Sequence, residues 1–234
     1  MKFEPRKVQH SINKAFLKEP VERKKFDTFK ESLGNLLSGI EQSEEAEERE
    51  EHFKNLLPPF FKAIGFGDYK INTSSNIDLA IYTGSKTKDP LGVMMEVKRP
   101  SNKAEMISTD RLNRKAMHEA VLYYLEQRID QENADLKHVI ITNMTHWYIF
   151  DAQEFERCFY RPSVLRKAYK EWKENRKVSS NTDFMYDKIA SFISESEATI
   201  SGITDIHGNP EMFPAAFRKD RTTNKEKGII KLIK

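Results

Sequence analysis

Between Tyr69 and Lys98 the apolar residues recur at every second position, while on both sides of that stretch they recur with helical spacing. A chain that changes period in this way has to build a sheet and cover it with helices. Before the switch, Phe26 to Ile40 carries apolar residues at 26, 29, 33, 36, 37 and 40, which predicts a helix. A second helix is expected from Glu44 to Leu57, with Phe53, Leu56 and Leu57 on its core side. Pro58-Pro59 should end or kink it, since proline offers no amide and restricts its predecessor.

After the switch, Tyr69–Thr73 reads as a short strand and Asn76–Tyr82 as a stronger one with Ile77, Leu79 and Ile81 on one face. Residues 83–90 have turn composition, and Leu91–Lys98 forms the third strand. A helix from Asp110 to Arg128 follows, whose Ala116, Ala120, Tyr123 and Tyr124 suit close packing on a sheet. Val139–Thr142 and His146–Phe150 complete the strands, with Trp147, Tyr148 and Phe150 taken as core. The order α-β-β-β-α-β-β is an α/β fold with a mixed sheet flanked by helices. It divides into a polar arm over residues 1–25, a core over 26–152 and a helical segment over 153–234. That last segment has helices at Ser163–Lys177 and Asp183–Ile193 and an irregular tail beyond Gly202.

The formal net charge of +3 is too small to name a polyanion partner, but charge is unevenly spread. Glu41 to Glu51 is acidic, whereas Lys98, Arg99, Lys103, Arg111, Arg114 and Lys115 form a basic stretch that either contacts phosphates or faces solvent. The single Cys158 excludes a disulfide framework or a cysteine zinc cluster, fits a reducing cytoplasm and suits a small buried position. No HxH or HExxH spacing is present, no apolar run approaches the roughly 20 residues of a membrane span, and no secretory leader is visible.

The triplet Glu96-Val97-Lys98 stands out from other E-x-K triplets because it ends an apolar strand, where charge is costly unless paired or bound to a metal. Alternation places Glu96 and Lys98 on one face, opposite Leu91, Val93, Met95 and Val97. A turn centred in residues 83–91 sets Asp78 directly across from Glu96, with Cβ atoms about 4.5–5.5 Å apart. Two carboxylates that close need a cation between them, and a hard divalent ion that takes carboxylate oxygens supplies it. Near it, Lys98 could handle a proton or steady a developing negative charge. Two acids, a metal and a lysine suit phosphodiester hydrolysis. The other reading of the same residues is a hairpin closed by a salt bridge between Lys98 and the acids.

Asp78, then Glu96-x-Lys98 after the next strand, resembles the PD-(D/E)XK nuclease superfamily. The stretches NIDLAIY, LGVMMEVKRP, NRKAMHEAVLYYLEQR, HVIITNMTHWYIFDAQEFE and TDFMYDKIA resemble the N-terminal endonuclease region of type IIG restriction enzymes, which fuse a nuclease to an adenine methyltransferase. The resemblance implies a restriction-endonuclease-like αβββαβ core that cuts double-stranded DNA with Mg2+, or with Mn2+ in its place. It implies Asp78 and Glu96 as metal ligands, the Val97 backbone carbonyl as a third, and Lys98 as catalytic. A glutamate on the preceding helix often supplements such sites, with Glu51 the candidate and Glu47 the alternative.

Arg99, Lys103, Arg114 and Lys115 become candidate DNA-backbone contacts, while His118 and Glu119 are expected on a solvated helix face. Neither a nucleotide-binding glycine loop nor an Asn-Pro-Pro-Tyr type motif is present, so S-adenosylmethionine is expected only on a methyltransferase domain outside this chain. Methyltransferase and target-recognition domains of a longer polypeptide, or partner subunits, would supply sequence specificity. Pairing of two copies would serve double-strand cleavage, in a prokaryotic cytoplasm. The rival expectations are a non-catalytic DNA-binding or assembly module on the same fold and a structure-specific nuclease.

Overall fold

The structure, a computed structural model, describes residues 1–11, 14–74, 76–86, 88–175 and 181–207. The chain opens with strand β1 (Lys2–Arg6) and two short helical turns, α1 (Val8–Ser11) and α2 (Lys14–Lys18). Helix α3 (Arg23–Glu45) then buries Phe29, Leu33, Leu36 and Ile40, a stripe with helical spacing. The chain breaks at Ala46–Arg49, where Glu47 takes a left-handed φ of 52°, so the second helix, α4 (Glu50–Phe61), starts later than its composition suggests.

Pro58 and Pro59 do not end α4. It runs to Phe61 and passes into a further turn over Lys62–Phe66, where Gly65 at φ 123° is not helical and kinks the chain. Burial of Phe53, Leu57, Phe60 and Phe61 holds the prolines inside the helix, each such side chain contributing about 1.5–3 kcal/mol.

Strands β2 (Ile71–Ser74), β3 (Ile77–Tyr82) and β4 (Leu91–Val97) form an antiparallel meander. Helix α5 (Lys115–Ile129) crosses to β5 (His138–Thr142), which lies parallel to β4, and β6 (His146–Asp151) returns antiparallel. α5 starts at Lys115 rather than Asp110, because residues 98–114 form a structured crossover that buries Met106, Ile107 and Leu112.

The chain continues through α6 (Ala152–Phe155), a π-helical turn (Glu156–Tyr160), α7 (Ser163–Asn175), α8 (Asp183–Glu195) and β7 (Thr199–His207). The seven strands make one mixed sheet in the order β1-β7-β6-β5-β4-β3-β2. Two expectations are therefore corrected. The first residues are not a free arm, since β1 pairs in parallel with β7. Nor is the chain irregular after Gly202, since β7 carries on to His207 against β6. Residues 208–234 lie outside the described residues.

Two cores lie on opposite faces of the sheet. Ala80, Met94, Val139, Ile141 and Phe150 pack against α5 to α8, with Cys158 among them. Leu79, Ile81, Met95, Val97 and Ile140 pack against α3 and α4. Leu91 departs from its expected face and joins the first core, because the β3–β4 register slips between Ile81 and Tyr82. Trp147 lies at the edge of the second core, and Tyr123, Tyr124, Tyr148 and Phe150 are buried. No helix among the described residues is long and apolar enough to cross a membrane.

Candidate active site

The central hairpin sets the site. Leu79 pairs with Met95, Ala80 with Met94 and Ile81 with Val93, and the same register continued by one residue sets Asp78 opposite Glu96. The alternation of β4 puts Glu96 on the face of Met94, toward α5, and Lys98 follows on that side as the strand ends. The Lys98 amide donates to the Thr142 carbonyl at 2.8 Å, which fixes the lysine at the end of two parallel strands.

Glu96 is 2% exposed and Lys98 4%, so both charges sit inside the fold. Lys98 Nζ lies 2.7 Å from Glu96 Oε1 and 2.7 Å from Glu119 Oε2, with Glu105 Oε2 at 3.9 Å. Asp78 accepts the Val97 N–H through Oδ2 at 2.8 Å and pairs through Oδ1 with Lys54 Nζ at 2.7 Å. Lys54 comes from α4 and also meets Glu51 at 3.0 Å and Glu50 at 3.2 Å. Two layers of the fold thus converge on the hairpin, α5 through Glu119 and α4 through Lys54.

Among the described residues, Glu96 Oε2 is buried without a hydrogen bond, and so is Glu119 Oε2, which is held by the charge of Lys98 Nζ at 2.7 Å. Burial, followed by the charges of Asp78 and Glu119, pushes the Glu96 carboxyl well above the ordinary carboxylate range, against the opposing pull of Lys98. Burial acts to lower Lys98, but the charge of Glu96 and the hydrogen bond and charge of Glu119 hold its ammonium above the ordinary lysine value. Lys54 behaves alike, with Asp78, Glu51 and Glu50 outweighing burial. Tyr123 lies beside the acids, and burial together with the Glu96 charge raises its phenol.

The expected residues divide clearly. Asp78, Glu96 and Lys98 are brought together. Glu51 reaches Asp78 only through Lys54, and Glu47 stands exposed in the turn between α3 and α4. Val97, a candidate through its carbonyl, joins the cluster through its amide. Arg99, Lys103 and Lys115 are exposed on or beside the crossover between β4 and α5, and Arg114 is half-buried. Lys115 is tied at 3.1 Å to Glu105. Among the described residues, no three His, Cys, Asp or Glu side chains already face one ion position. Lysines occupy the space between the acids instead.

Glu119 corrects the expectation of a solvated face, because it is 8% exposed and holds Lys98. Its signal was present in the sequence: Ala116, Ala120 and Tyr123 mark the sheet-facing stripe of α5, and Glu119 falls within that stripe. His118 is half-buried, with Nε2 2.6 Å from Asn113 Oδ1. No comparable signal marks Lys54, whose spacing from Glu50 and Glu51 is that of any surface helix pair.

Residues 6–234 match the family model described as Domain of unknown function (DUF7149). No curated protein and no solved structure matches the chain.

Proposed function

Because the chain belongs to this family, described only as a domain of unknown function, its chemistry is read from its own residues: we propose that it is a Mg2+-dependent endonuclease that hydrolyses DNA phosphodiester bonds. In this reading the sheet and helices form a restriction-endonuclease-like core, and the chain is the cleavage domain of a type IIG-like restriction–modification enzyme acting on double-stranded DNA in a prokaryotic cytoplasm. The observation that carries the reading is the Glu96 carboxylate, which faces Asp78 and Lys98 and leaves Oε2 buried and unpartnered. A buried orphan oxygen costs about 1–3 kcal/mol, more when charged, and a cation relieves both that cost and the crowding of Asp78, Glu96 and Glu119.

The donors fit a hard cation, being carboxylate oxygens with no thiol or imidazole among them. Asp78 and Glu96 would hold Mg2+, or Mn2+ in its place, with the Val97 carbonyl as a further oxygen and Glu51 at the rim. When bound, the ion supplies a Lewis acid and an activated water. Lys98 keeps its proton between two carboxylates and presents a fixed positive charge to the phosphate, steadying negative charge as it develops. Glu119 sets where that charge stands. Arg99, Lys103, Arg114 and Lys115 contact the DNA backbone, which positions the strand without reading bases. Other domains or subunits read the sequence, S-adenosylmethionine belongs to a methyltransferase outside this chain, and two copies pair for double-strand cleavage.

The ion pairs themselves favour a second reading, a DNA-binding or assembly module whose hairpin is closed by internal charges. Such a network has no use for an unpartnered Glu96 oxygen. A plasmid-nicking assay separates the two: the chain, assayed with Mg2+ or Mn2+, is expected to convert supercoiled DNA to open circles. Binding of DNA without any nicking, by this chain and by a longer polypeptide that contains it, overturns the nuclease reading.

A further inference from the structure

Both oxygens of Asp78 are engaged, and by groups of different kind. Oδ2 takes a backbone amide that the sheet fixes, whereas Oδ1 takes the ammonium of Lys54, a side chain only 10% exposed on a neighbouring helix. An ion that takes Asp78 Oδ1 therefore meets the Lys54 ammonium, whereas Lys98 sits on the other oxygen of Glu96, at 2.7 Å from Oε1, and leaves Oε2 to the ion. Lys54 also has other partners ready. Glu51 and Glu50 already lie 3.0 and 3.2 Å from its Nζ, and their side chains are 76% and 30% exposed, so a shift toward solvent keeps the ammonium paired. Pro58 and Pro59 also have no amide to offer the carbonyls of Lys54 and Asn55.

We infer that Lys54 is a built-in counter-cation: its ammonium neutralises Asp78 until a divalent ion arrives, then transfers to Glu50 and Glu51, and this exchange sets the affinity of the site for metal. The inference rests on the metal-dependent reading above and assigns Glu50 and Glu51 a different task, receiving the lysine. A salt bridge that merely fastened α4 to the hairpin would persist with the ion bound and would not compete with it.

The test is direct Mn2+ binding, followed by the paramagnetic signal of the free ion, on the metal-stripped chain. Lys54→Gln keeps a hydrogen-bond donor and removes the charge, and it is expected to bind Mn2+ about tenfold more tightly, as removal of one positive charge beside a divalent ion requires. Lys54→Arg keeps the charge and should bind like the wild type, while Glu96→Gln should weaken binding in every background. Equal or weaker binding by Lys54→Gln, or the same gain in Lys54→Arg, overturns the role of Lys54 and leaves the metal site standing. A wild-type chain that takes up no Mn2+ at millimolar concentration overturns the metal site and this inference with it. The wild type gives an independent readout should Lys54→Gln fail to fold. Mn2+ should raise acetylation of the Lys54 amine mapped by mass spectrometry, and unchanged protection refutes the exchange.

Discussion

Lys98 Nζ stands 2.7 Å from Glu119 Oε2, so the end of strand β4 is tied to the sheet-facing stripe of α5 by a charged contact inside the fold. The same ammonium is shared with Glu96 Oε1 at an equal distance. Glu119 therefore acts on the candidate chemistry through Lys98 and is a positioning residue. Glu119→Gln should slow nicking about 10–100-fold, the usual effect of losing an orienting partner. Mn2+ binding should weaken by no more than about tenfold, the effect of one charge nearby, and a loss as large as that of Glu96→Gln would place Glu119 among the ligands instead.

Asp78 offers the cleanest test of the site. Asp78→Asn keeps an acceptor for the Val97 N–H, and Lys54 keeps Glu50 and Glu51, so the fold should survive with a melting temperature near the wild type. Nicking should fall by more than about a hundredfold, beyond what an outer partner contributes. Lys98→Ala is a poorer probe, because it strands two buried carboxylates at a cost of about 3–5 kcal/mol. Full cleavage by Asp78→Asn would remove Asp78 from the mechanism.

His138, on β5, supplies a pH dependence away from the site. Burial lowers its imidazole below the ordinary 6.5, against the opposing charge of Asp151, and its Nδ1 is buried without a hydrogen-bond partner among the described residues. As the pH falls below 6.5 the unfolded chain takes up this proton before the folded chain does. Stability should therefore be lost progressively from there down through the depressed folded value, and level off beneath it. Melting temperatures recorded from neutral pH into that window should decline less steeply for His138→Gln than for the wild type; parallel curves would show that His138 is not the group concerned.

Gly202 sits where β1, β7 and β6 meet. A Cβ there would lie 2.9 Å from Phe150 Cδ1 and 3.1 Å from Phe3 Cε2, both parts of packed rings. Gly202→Ala should destabilise by about 1–3 kcal/mol, as overpacking does. Calorimetry that finds the variant as stable as the wild type would show that these rings move apart freely.

What could be seen in the sequence follows from how local each cause is. The approach of Asp78 to Glu96 was legible because alternation along two apolar strands aligns them, although the register there is set by the slip between Ile81 and Tyr82 and not by the length of the turn alone. The exchange of faces at Leu91 was not, since the slip beside Gly92 leaves no mark in the apolar pattern. β1 was hidden because KFEPR carries one inward apolar residue, Phe3, and its partner strand lies nearly 200 positions away. Glu119 was judged by its charge, although its neighbours Ala116, Ala120 and Tyr123 already showed which way it faced. Pro58-Pro59 reads as a local stop or kink, and burial of the aromatic residues just beyond outweighs it.

The parallel pairing of β1 with β7 has a consequence for how the molecule is made. Phe3 leaves the ribosome long before Ile200, the residue it pairs with. Until β7 emerges, the edge of β6 that it will cover stands open to other nascent chains. Final closure therefore follows translation of β7 to His207, and any ribosomal pause or premature stop before that point leaves an adhesive, half-assembled sheet.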